Sequence, residues 1–512
     1  MAMSTYVRNL LASIVILLLA CTAIRVMAST ANEQQKLTLP QETHRQHIDA
    51  TQSAEPAQAT IAHEHTSLQA DLPPQWLALP FVILLLMIAT GPLLYERFWH
   101  KHYPKVAILL ASFVIVYYLF VLHNLSKPVE ALMEYLQFIA LIASLYMAAG
   151  GILIEVSKQA TPSTNLGLLL LGAVLANFIG TTGASMLLIR PYIRLNRGRI
   201  KVYHIVFFIL IVSNVGGALT PIGDPPLFLG FLKGVPFFWT LQHNLLPWLL
   251  ALLLLGVAFF ILDTKNPTTS KQPITAKAQP ALRVVGKRNF LWLIIIIIAV
   301  FLDPHILGWV PAIQHHGHSF SFLREVILFS VAWLSYRYAS KPALKGNEFA
   351  LEPLKEVVLI FVGIFGTMIP ALALISAFAQ SESGSAMITP NTLYWGAGIF
   401  SSILDNAPTY LNFAAASMAA QGADITQLTD VQAYATGGVF TNSILRLKAI
   451  SIASVFFGAM TYIGNGPNFM VKAIAEHLGI RMPSFFGYII WFSIPILLPA
   501  LVLVWLAFFA WA

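Results

Sequence analysis

Two stretches of the chain place polar residues among glycines and prolines in the middle of apolar sequence. The first break, residues 213–226, reads SNVGGALTPIGDPP, and the second break, residues 461–468, reads TYIGNGPN. Glycine weakens a helix and proline removes one of its hydrogen bonds, so each stretch interrupts a membrane-spanning helix. Irregular backbone at membrane depth is tolerated only inside protein or beside a water-filled cavity. Two such breaks, one in each half of the chain, indicate the binding site of a secondary transporter.

Two carboxylates lie within these polar stretches. Asp224 is in the first break, and Asp405 is in a further polar stretch, residues 401–409. Ionisable residues inside spans cost at least about 2.5 kcal/mol at mid-bilayer and usually have a function. We therefore predict that Asp224 and Asp405 exchange a cation for a proton; the alternative is that they only cap helix ends. The neighbouring amides and hydroxyls predicted to complete the site are Asn177, Thr181, Asn214, Thr220, Asn406, Asn465 and Asn468.

The composition requires a membrane protein. Of 512 residues, 57% are hydrophobic and only 10% are charged, too few charges for the surface of a soluble protein. Apolar windows of about 20 residues recur, which predicts α-helical spans and an all-α polytopic fold. The net charge of +8 comes from basic residues between spans, so we expect no nucleic-acid partner. No HExxH or GxSxG motif occurs, so we predict neither an enzyme nor a bound cofactor, with sodium and protons only transported.

The N-terminal region resembles an export segment followed by a polar tail. Residues 1–28 combine Arg8, a short apolar run and a small-residue end, which predicts a signal peptide or a signal anchor. Residues 29–75 are polar and are predicted to be a disordered periplasmic linker. Their four histidines leave a metal-binding tail as the alternative.

The remaining chain repeats one order of elements. Each half has three spans, a re-entrant hairpin, a discontinuous helix and a closing span. The first repeat is 76–262, the second is 289–512, and a polar linker, 263–288, joins them. With the N-terminal segment this gives about 11 spans plus two hairpins, the first hairpin at 165–195 and the second hairpin at 391–419. We predict that Asn177 corresponds to Asn406 and that Asp224 corresponds to Asn468.

The distribution of basic residues sets the orientation. Four short segments are rich in lysine and arginine, namely Arg97–Lys105, Arg190–Lys201, Lys265–Arg288 and Arg337–Lys355. Placing all four in the cytoplasm puts the tail 29–75 in the periplasm. The two halves then have opposite orientations, which predicts inverted repeats in a bacterial inner membrane.

These motifs resemble the ion-transporter superfamily of bacterial secondary carriers, over residues of about 77–511. The superfamily includes NhaD-type sodium/proton antiporters, citrate-carrier-like (CitMHS) permeases, dicarboxylate/sodium symporters and arsenite permeases. The pieces that carry the resemblance are Ser213–Pro226, Leu404–Thr409 and Gly464–Asn468. The resemblance implies a homodimer in which a transport domain slides against a scaffold, and it implies the same nine site residues.

Two substrates remain open at this point. The dicarboxylate branch has Ser-Asn-Thr at both hairpin tips, whereas this chain has Ala176-Asn177-Phe178 and Asp405-Asn406-Ala407. Because Asp405 would repel a carboxylate, we predict a sodium/proton antiporter. However, Asp224 is followed by two prolines, as in citrate-carrier-like or arsenite-permease-like members. The alternative is therefore a cation-coupled carrier of citrate, another organic acid or an arsenite-like oxyanion.

Overall fold

The computed structural model of the chain describes residues 72–156, 160–266, 282–304, 306–311, 313–315, 318–320 and 322–511. Two compact units divide these residues. Residues 73–502 form one unit, which contains every predicted site residue, and residues 72 and 503–511 fall in the other. The predicted signal segment 1–28, nearly all of the tail 29–75 and the centre of the linker 263–288 lie outside the described residues.

The first half of the larger unit is a succession of helices. A 3-10 turn, Gln75–Ala78, precedes them. They are α1 (Leu79–Leu94), α2 (Glu96–Phe120), α3 (Ser126–Gly150), α4 (Pro162–Leu195), α5 (Val202–Ile211), α6 (Pro225–Lys233) and α7 (Trp239–Thr264). A short strand after α3, β1 (Leu153–Val156), pairs antiparallel with β2 (Leu282–Val285), which precedes the second half.

The second half is again helical, with one small hairpin of strands, β3 (Ile313–His315) and β4 (His318–Phe320). Its helices are α8 (Arg288–Val300), α9 (Leu323–Arg337), α10 (Lys341–Gly346), α11 (Glu352–Gln380), α12 (Glu382–Met387), α13 (Pro390–Ile403), α14 (Asn406–Ala419), α15 (Leu428–Thr436), α16 (Ser443–Phe456), α17 (Gly466–His477), α18 (Phe485–Tyr488) and α19 (Leu498–Phe508). A π-helical segment, Ile489–Leu497, joins the last two.

Nine helical runs in the described part of the chain are long and apolar enough to cross a membrane. This confirms the prediction of an all-α polytopic membrane protein. One of the nine is α4, which is the first hairpin. The helices α8 and α9 lie where two spans of the second repeat were predicted, and with 13 and 15 residues they are shorter than the about 20 residues that a span usually needs. The basic segment Arg97–Lys105 was predicted to separate two spans, but it belongs to α2.

Both hairpins consist of two helical arms that meet at a short non-helical joint. In α4 the joint is Gly180, whose φ of 74° and ψ of 155° lie in a region that only glycine adopts readily. In the second hairpin the arms are α13 and α14, and extended residues Leu404 and Asp405 join them. Each hairpin starts with threonine followed by proline, Thr161 and Thr389, whose hydroxyls cap the first arm.

The two breaks share one backbone course. A 3-10 turn follows the helix in each, Val215–Leu219 after α5 and Phe457–Met460 after α16. Next comes an extended threonine: Thr220 has φ −135° and ψ 156°, and Thr461 has φ −137° and ψ 169°. Both end at an extended residue that starts the next helix, Asp224 (φ −142°, ψ 144°) and Asn465 (φ −147°, ψ 139°).

This match corrects two predicted correspondences. Asp224 corresponds to Asn465 rather than to Asn468, because both are the last extended residue before a helix. Thr181 rather than Asn177 corresponds to Asn406, because each is the first residue of a hairpin's second arm. The correspondence predicted from sequence was wrong by about one helical turn in the hairpin.

The open end of the first hairpin is fixed to α7 by a buried polar network around Asp263. The Asp263 carboxylate accepts hydrogen bonds from Asn165 at 2.9 Å, Tyr203 at 2.7 Å and Arg199 at 2.8 Å. Nε2 of His204 lies 3.0 Å from the same carboxylate. Asn165, near the start of α4, also bonds Asn196 just beyond its end. Both ends of the hairpin are thereby held at one place.

Candidate functional site

The centre of the site is the carboxylate of Asp224, which is only 1% exposed. It accepts hydrogen bonds from three other elements: Thr181 Oγ1 at 2.7 Å, Asn406 Nδ2 at 2.9 Å and Asn465 Nδ2 at 3.1 Å. We call these four residues the Asp224 cluster. Each comes from a different non-helical joint, so the two hairpins and the two breaks meet at one carboxylate.

Local backbone geometry explains why these residues converge. Thr181 follows the Gly180 joint, and its N–H donates to Gly223 O at 2.8 Å, which holds the first hairpin against the first break. The helical arm after Thr181, α6, α14 and α17 all start at a member of the cluster or directly after one. The positive ends of four helix dipoles therefore lie at one buried carboxylate, although Pro225, Pro226 and Pro467 supply no N–H group there.

A network of hydrogen bonds between asparagine side chains connects the two breaks. Asn214 Nδ2 donates to Asn468 Oδ1 at 2.6 Å. Asn465 Nδ2 lies within 3.2 Å of both Ser213 O and Asn214 Oδ1, in addition to Asp224. Asn214 and Asn468 thus lie next to the Asp224 cluster, where they fix the position of Asn465 and of the surrounding backbone.

Asn177 and Thr220 hold the first hairpin and the first break in register. Asn177 Nδ2 donates to Gly216 O at 2.7 Å, and its Oδ1 accepts from the N–H of Leu219 at 2.9 Å. Thr220 Oγ1 donates to Asn177 O at 2.6 Å. Neither side chain forms a hydrogen bond with Asp224 in the described residues; their hydrogen bonds join the hairpin to the break.

The two predicted carboxylates have different surroundings. The side chain of Asp224 makes no capping hydrogen bond, although the residue occupies the N-cap of α6. The carboxylate of Asp405 does cap α14, since it accepts from the N–H of Ala407 at 3.0 Å. The alternative role considered for both residues, capping a helix end, therefore applies to the side chain of Asp405 but not to that of Asp224. No ion pair reaches Asp224 within the described residues, so a proton or a bound cation would be needed to neutralise a buried charge of this kind.

Ser401 also contributes to the site. It was not among the site residues predicted from the sequence. Its hydroxyl donates to Asn406 Oδ1 at 2.5 Å and lies 2.6 Å from Ser454 O. These contacts turn the Nδ2 group of Asn406 towards Asp224. The only sequence signal was its place in the polar stretch 401–409, where a serine one turn before the joint is unremarkable by itself.

Two cavities adjoin the cluster. The smaller, of about 50 Å³, is lined by Asp224, Thr181 and Gly180, and it has room for one or two water-sized groups. The larger, of about 510 Å³, reaches Asn465, Asp405 and Pro225. Within the described ranges, no group of three or more histidine, cysteine, aspartate or glutamate side chains could hold a resident metal ion.

The larger cavity extends well away from the cluster. Its lining follows one face of the second arm of α4, through Thr182, Met186 and Arg190, and then reaches Glu348 and Glu352. This volume falls in the range of sites that bind small organic molecules. A cavity of this size is large compared with what a bare sodium ion needs.

Comparison with known proteins identifies the family. Residues 69–509 match the family CitMHS_2, described as "Putative citrate transport". The chain belongs to this family. Membership confirms the predicted resemblance to citrate-carrier-like permeases and makes the chain a membrane transporter rather than an enzyme. A search of curated proteins finds no match to the chain.

Proposed function

We propose that this transporter is a cation-coupled carrier of citrate or a similar di- or tricarboxylate. The observation that carries the proposal is the cavity of about 510 Å³ that ends at the Asp224 cluster. The first residues of α6 and α17, Pro225 and Gly466, line this cavity. Proline has no N–H, so the start of α6 offers a carboxylate only the positive end of its helix dipole, whereas Gly466 at the start of α17 also carries a backbone N–H. Family membership supports the same substrate class.

The coupling cation would bind at the Asp224 cluster. The Asp224 carboxylate and the Thr181 hydroxyl supply oxygens, and both residues line the smaller cavity of about 50 Å³. A small hard cation prefers such oxygen ligands, and a proton on Asp224 would neutralise the same charge. The proposal assigns sodium or protons to this position and the organic acid to the larger cavity.

Asp405 constrains the form in which the organic acid binds. It lines the larger cavity and would repel a free trianion. A citrate ion that carries a divalent metal ion has a lower net charge, and its metal would be attracted by Asp405. The proposal therefore includes transport of a metal–citrate complex as the form that suits this carboxylate best.

Sodium/proton antiport is the second candidate. The observation in its favour is that two carboxylates, Asp224 and Asp405, line two adjoining cavities without an ion pair to either in the described residues. Both carboxylates could exchange a cation for a proton. This alternative does not explain why the larger cavity is so much larger than a sodium ion.

The proposed mechanism is alternating access in a bacterial inner membrane. We infer two repeats of opposite orientation, residues 76–262 and 289–512, joined by a cytoplasmic linker at 263–288. The shared backbone course of the two breaks supports a duplicated unit. A homodimer, with a transport domain that slides against a scaffold and an N-terminal tail in the periplasm, is part of the same proposal.

The test uses purified protein in proteoliposomes. Labelled citrate uptake is measured under an imposed sodium gradient and, separately, a proton gradient, with and without Mg²⁺. A pH-sensitive dye in the same vesicles reports sodium-driven proton movement. The variants are Asp224→Asn and Asp405→Asn, and the matched control is Glu382→Gln, an exposed carboxylate on α12.

The proposal predicts citrate accumulation by the wild type and by Glu382→Gln, and loss of accumulation in Asp224→Asn. Stimulation by Mg²⁺ that disappears in Asp405→Asn would identify the metal complex as cargo. Sodium-driven proton movement without citrate uptake, abolished by Asp405→Asn, would instead establish the antiporter and refute the carrier.

A further inference from the structure

Arg190 is a buried cation on the wall of the larger cavity. It lies in the second arm of α4, is 6% exposed, and is the one arginine or lysine that lines this cavity in the described part of the chain. The sequence pattern counted it with the basic segment Arg190–Lys201, which suggested a residue in a solvated loop. Its position inside the protein calls for a different explanation.

The guanidinium of Arg190 is mostly unpartnered. Its Nη2 atom lies 3.2 Å from Oε2 of Glu348, which is its ion-pair partner. Its Nε and Nη1 atoms are buried and have no hydrogen-bond partner among the described residues. A buried charged donor without partners is costly, so the guanidinium gains hydrogen bonds when it turns these N–H groups towards an anion in the cavity that its side chain lines.

Arg190 lies on the face of α4 that leads to the Asp224 cluster. Thr182, Met186 and Arg190 are four residues apart in turn and all line the cavity. Eight residues of helix place Arg190 about 12 Å along the axis from Thr182, since the rise is about 1.5 Å per residue. A cargo that travels through this cavity to the cluster passes the guanidinium.

Glu348 is held so that its side chain can leave Arg190 while the backbone stays. Its own φ of 46° lies in the left-handed region, which a non-glycine residue rarely adopts. Asn347 pins this turn by donating to Gly150 O at 3.0 Å, and Ala350 O accepts from Tyr146 at 2.7 Å. The Glu348 side chain is 50% exposed, so it can turn into water without a burial cost.

We infer that Arg190 is a receiving site for a carboxylate of the transported organic acid. The entering carboxylate replaces Glu348 and takes two parallel N–H donors of the guanidinium, the paired geometry for which arginine is suited. The cargo is thus held before it reaches the Asp224 cluster. This inference rests on the proposed function, because it requires a cargo that carries a carboxylate.

Equilibrium binding of labelled citrate to the purified full chain, with Mg²⁺ present, tests the inference. The variants are Arg190→Gln, Arg190→Lys and Glu348→Gln. The matched control is Arg194→Gln, one turn further along α4; Arg194 is exposed, donates to Gly346 O and does not line the cavity. Size-exclusion profiles and melting temperatures check that each variant is folded.

We expect Arg190→Gln to weaken citrate binding about 10- to 100-fold, because a charge-assisted hydrogen bond is lost. Arg190→Lys keeps the charge and should lose less. Glu348→Gln removes the competing carboxylate, so it should bind citrate as tightly as the wild type or more tightly. Arg194→Gln should stay within about twofold of the wild type.

Three outcomes would overturn the inference. If Glu348→Gln binds as weakly as Arg190→Gln, the ion pair is only structural. If Arg190→Gln binds like the wild type while the wild type binds and transports citrate, Arg190 has no part in recognition and the proposed function survives alone. Absence of citrate binding and uptake in the wild type itself would refute the proposed function and this inference together. Should Arg190→Gln be unstable, Arg190→Lys and Glu348→Gln decide the question.

Discussion

The two breaks have the same backbone but different charges. Thr220 and Thr461 follow matching 3-10 turns and hold matching positions, with hydroxyls that donate at 2.6 Å to Asn177 O and Ser402 O. At the end of each break the side chain is a carboxylate in one half, Asp224, and an amide in the other, Asn465. The backbone geometry of the break therefore occurs in both halves, whereas the carboxylate at its end occurs only in the first.

This difference makes the two halves interdependent. Asn465 and Asn406, both from the second half, donate to the carboxylate of Asp224 in the first half. A second aspartate in place of Asn465 would put two carboxylates in one buried site, where like charges repel strongly. The asymmetric pair therefore gives one buried carboxylate, shared by two otherwise equivalent frameworks.

The largest effect is expected when the carboxylate is moved between the equivalent positions. Asp224→Asn should reduce gradient-driven citrate uptake at least about 100-fold, because the buried charge that binds the coupling cation is lost. The double variant Asp224→Asn/Asn465→Asp restores one carboxylate, but Thr181 and Asn406 are placed to donate to residue 224, so uptake should stay below about a tenth of the wild type.

Uptake of labelled citrate into proteoliposomes checks both variants, with the exposed Glu382→Gln as the control for a carboxylate-to-amide change. Full activity in the double variant would show that the carboxylate works equally well at residue 224 and at residue 465, which would contradict the difference between the two breaks argued above.

A smaller effect is expected from adding one methyl group behind each hairpin. A Cβ on Gly458 would lie 2.4 Å from Asn406 Oδ1, and a Cβ on Gly217 would lie 2.5 Å from Thr181 Cγ2 and 2.8 Å from Gly223 O. Gly458→Ala and Gly217→Ala should each displace a donor from Asp224 and destabilise the protein by about 1–3 kcal/mol.

Citrate affinity and melting temperature measure this effect in both halves. Gly167→Ala, in the first arm of α4, is the control, because its Cβ meets nothing within 4 Å and the residue lines neither cavity. If Gly167→Ala is as damaging as Gly458→Ala, the close approach of Asn406 is not the cause.

The smallest effect is expected at the two threonines. Thr220→Val and Thr461→Val keep the side-chain shape and each remove one hydrogen bond to a hairpin carbonyl. Thr461→Val also removes the acceptor of the N–H groups of Ile463 and Gly464. Such bonds in membrane proteins contribute about 0.6 kcal/mol on average, so Thr220→Val should lose about that amount of unfolding free energy and Thr461→Val should lose more. Unfolding in mixed micelles of SDS and a mild detergent gives this value. A loss confined to one half would mean that the two frameworks are not equivalent.

The sequence located both breaks because glycine and proline have strong local effects. The sequence did not reveal which residue forms the joint of the first hairpin. Residues 176–185, ANFIGTTGAS, contain two glycines and several small residues that could each form it. The joint at Gly180 is set by the contact of Thr181 N with Gly223 O, a pairing between distant segments that no local pattern reveals. Asn177 therefore faces the first break, and Thr181 reaches Asp224.

Arg190 illustrates the other limit of sequence reasoning. A basic residue near the end of an apolar run matches the pattern of a loop at the membrane surface. Its ion-pair partner Glu348 is far away in the chain, and both residues line a cavity formed by several distant segments. The nine site residues were predicted because polar groups in apolar sequence stand out, whereas Arg190 stood among other charges.

The network around Asp263 has a consequence for how access to the site can change. Asp263 joins Asn165 at the start of the first hairpin to Tyr203 and Arg199 beside α5, and Asn196 closes the hairpin's other end. Sliding the hairpin past α7 would leave several buried polar groups unsatisfied at once. Under the proposed alternating access, the hairpin, α5 and α7 should therefore move as a single rigid body, and spin labels placed on these three elements should keep fixed mutual distances through the whole cycle.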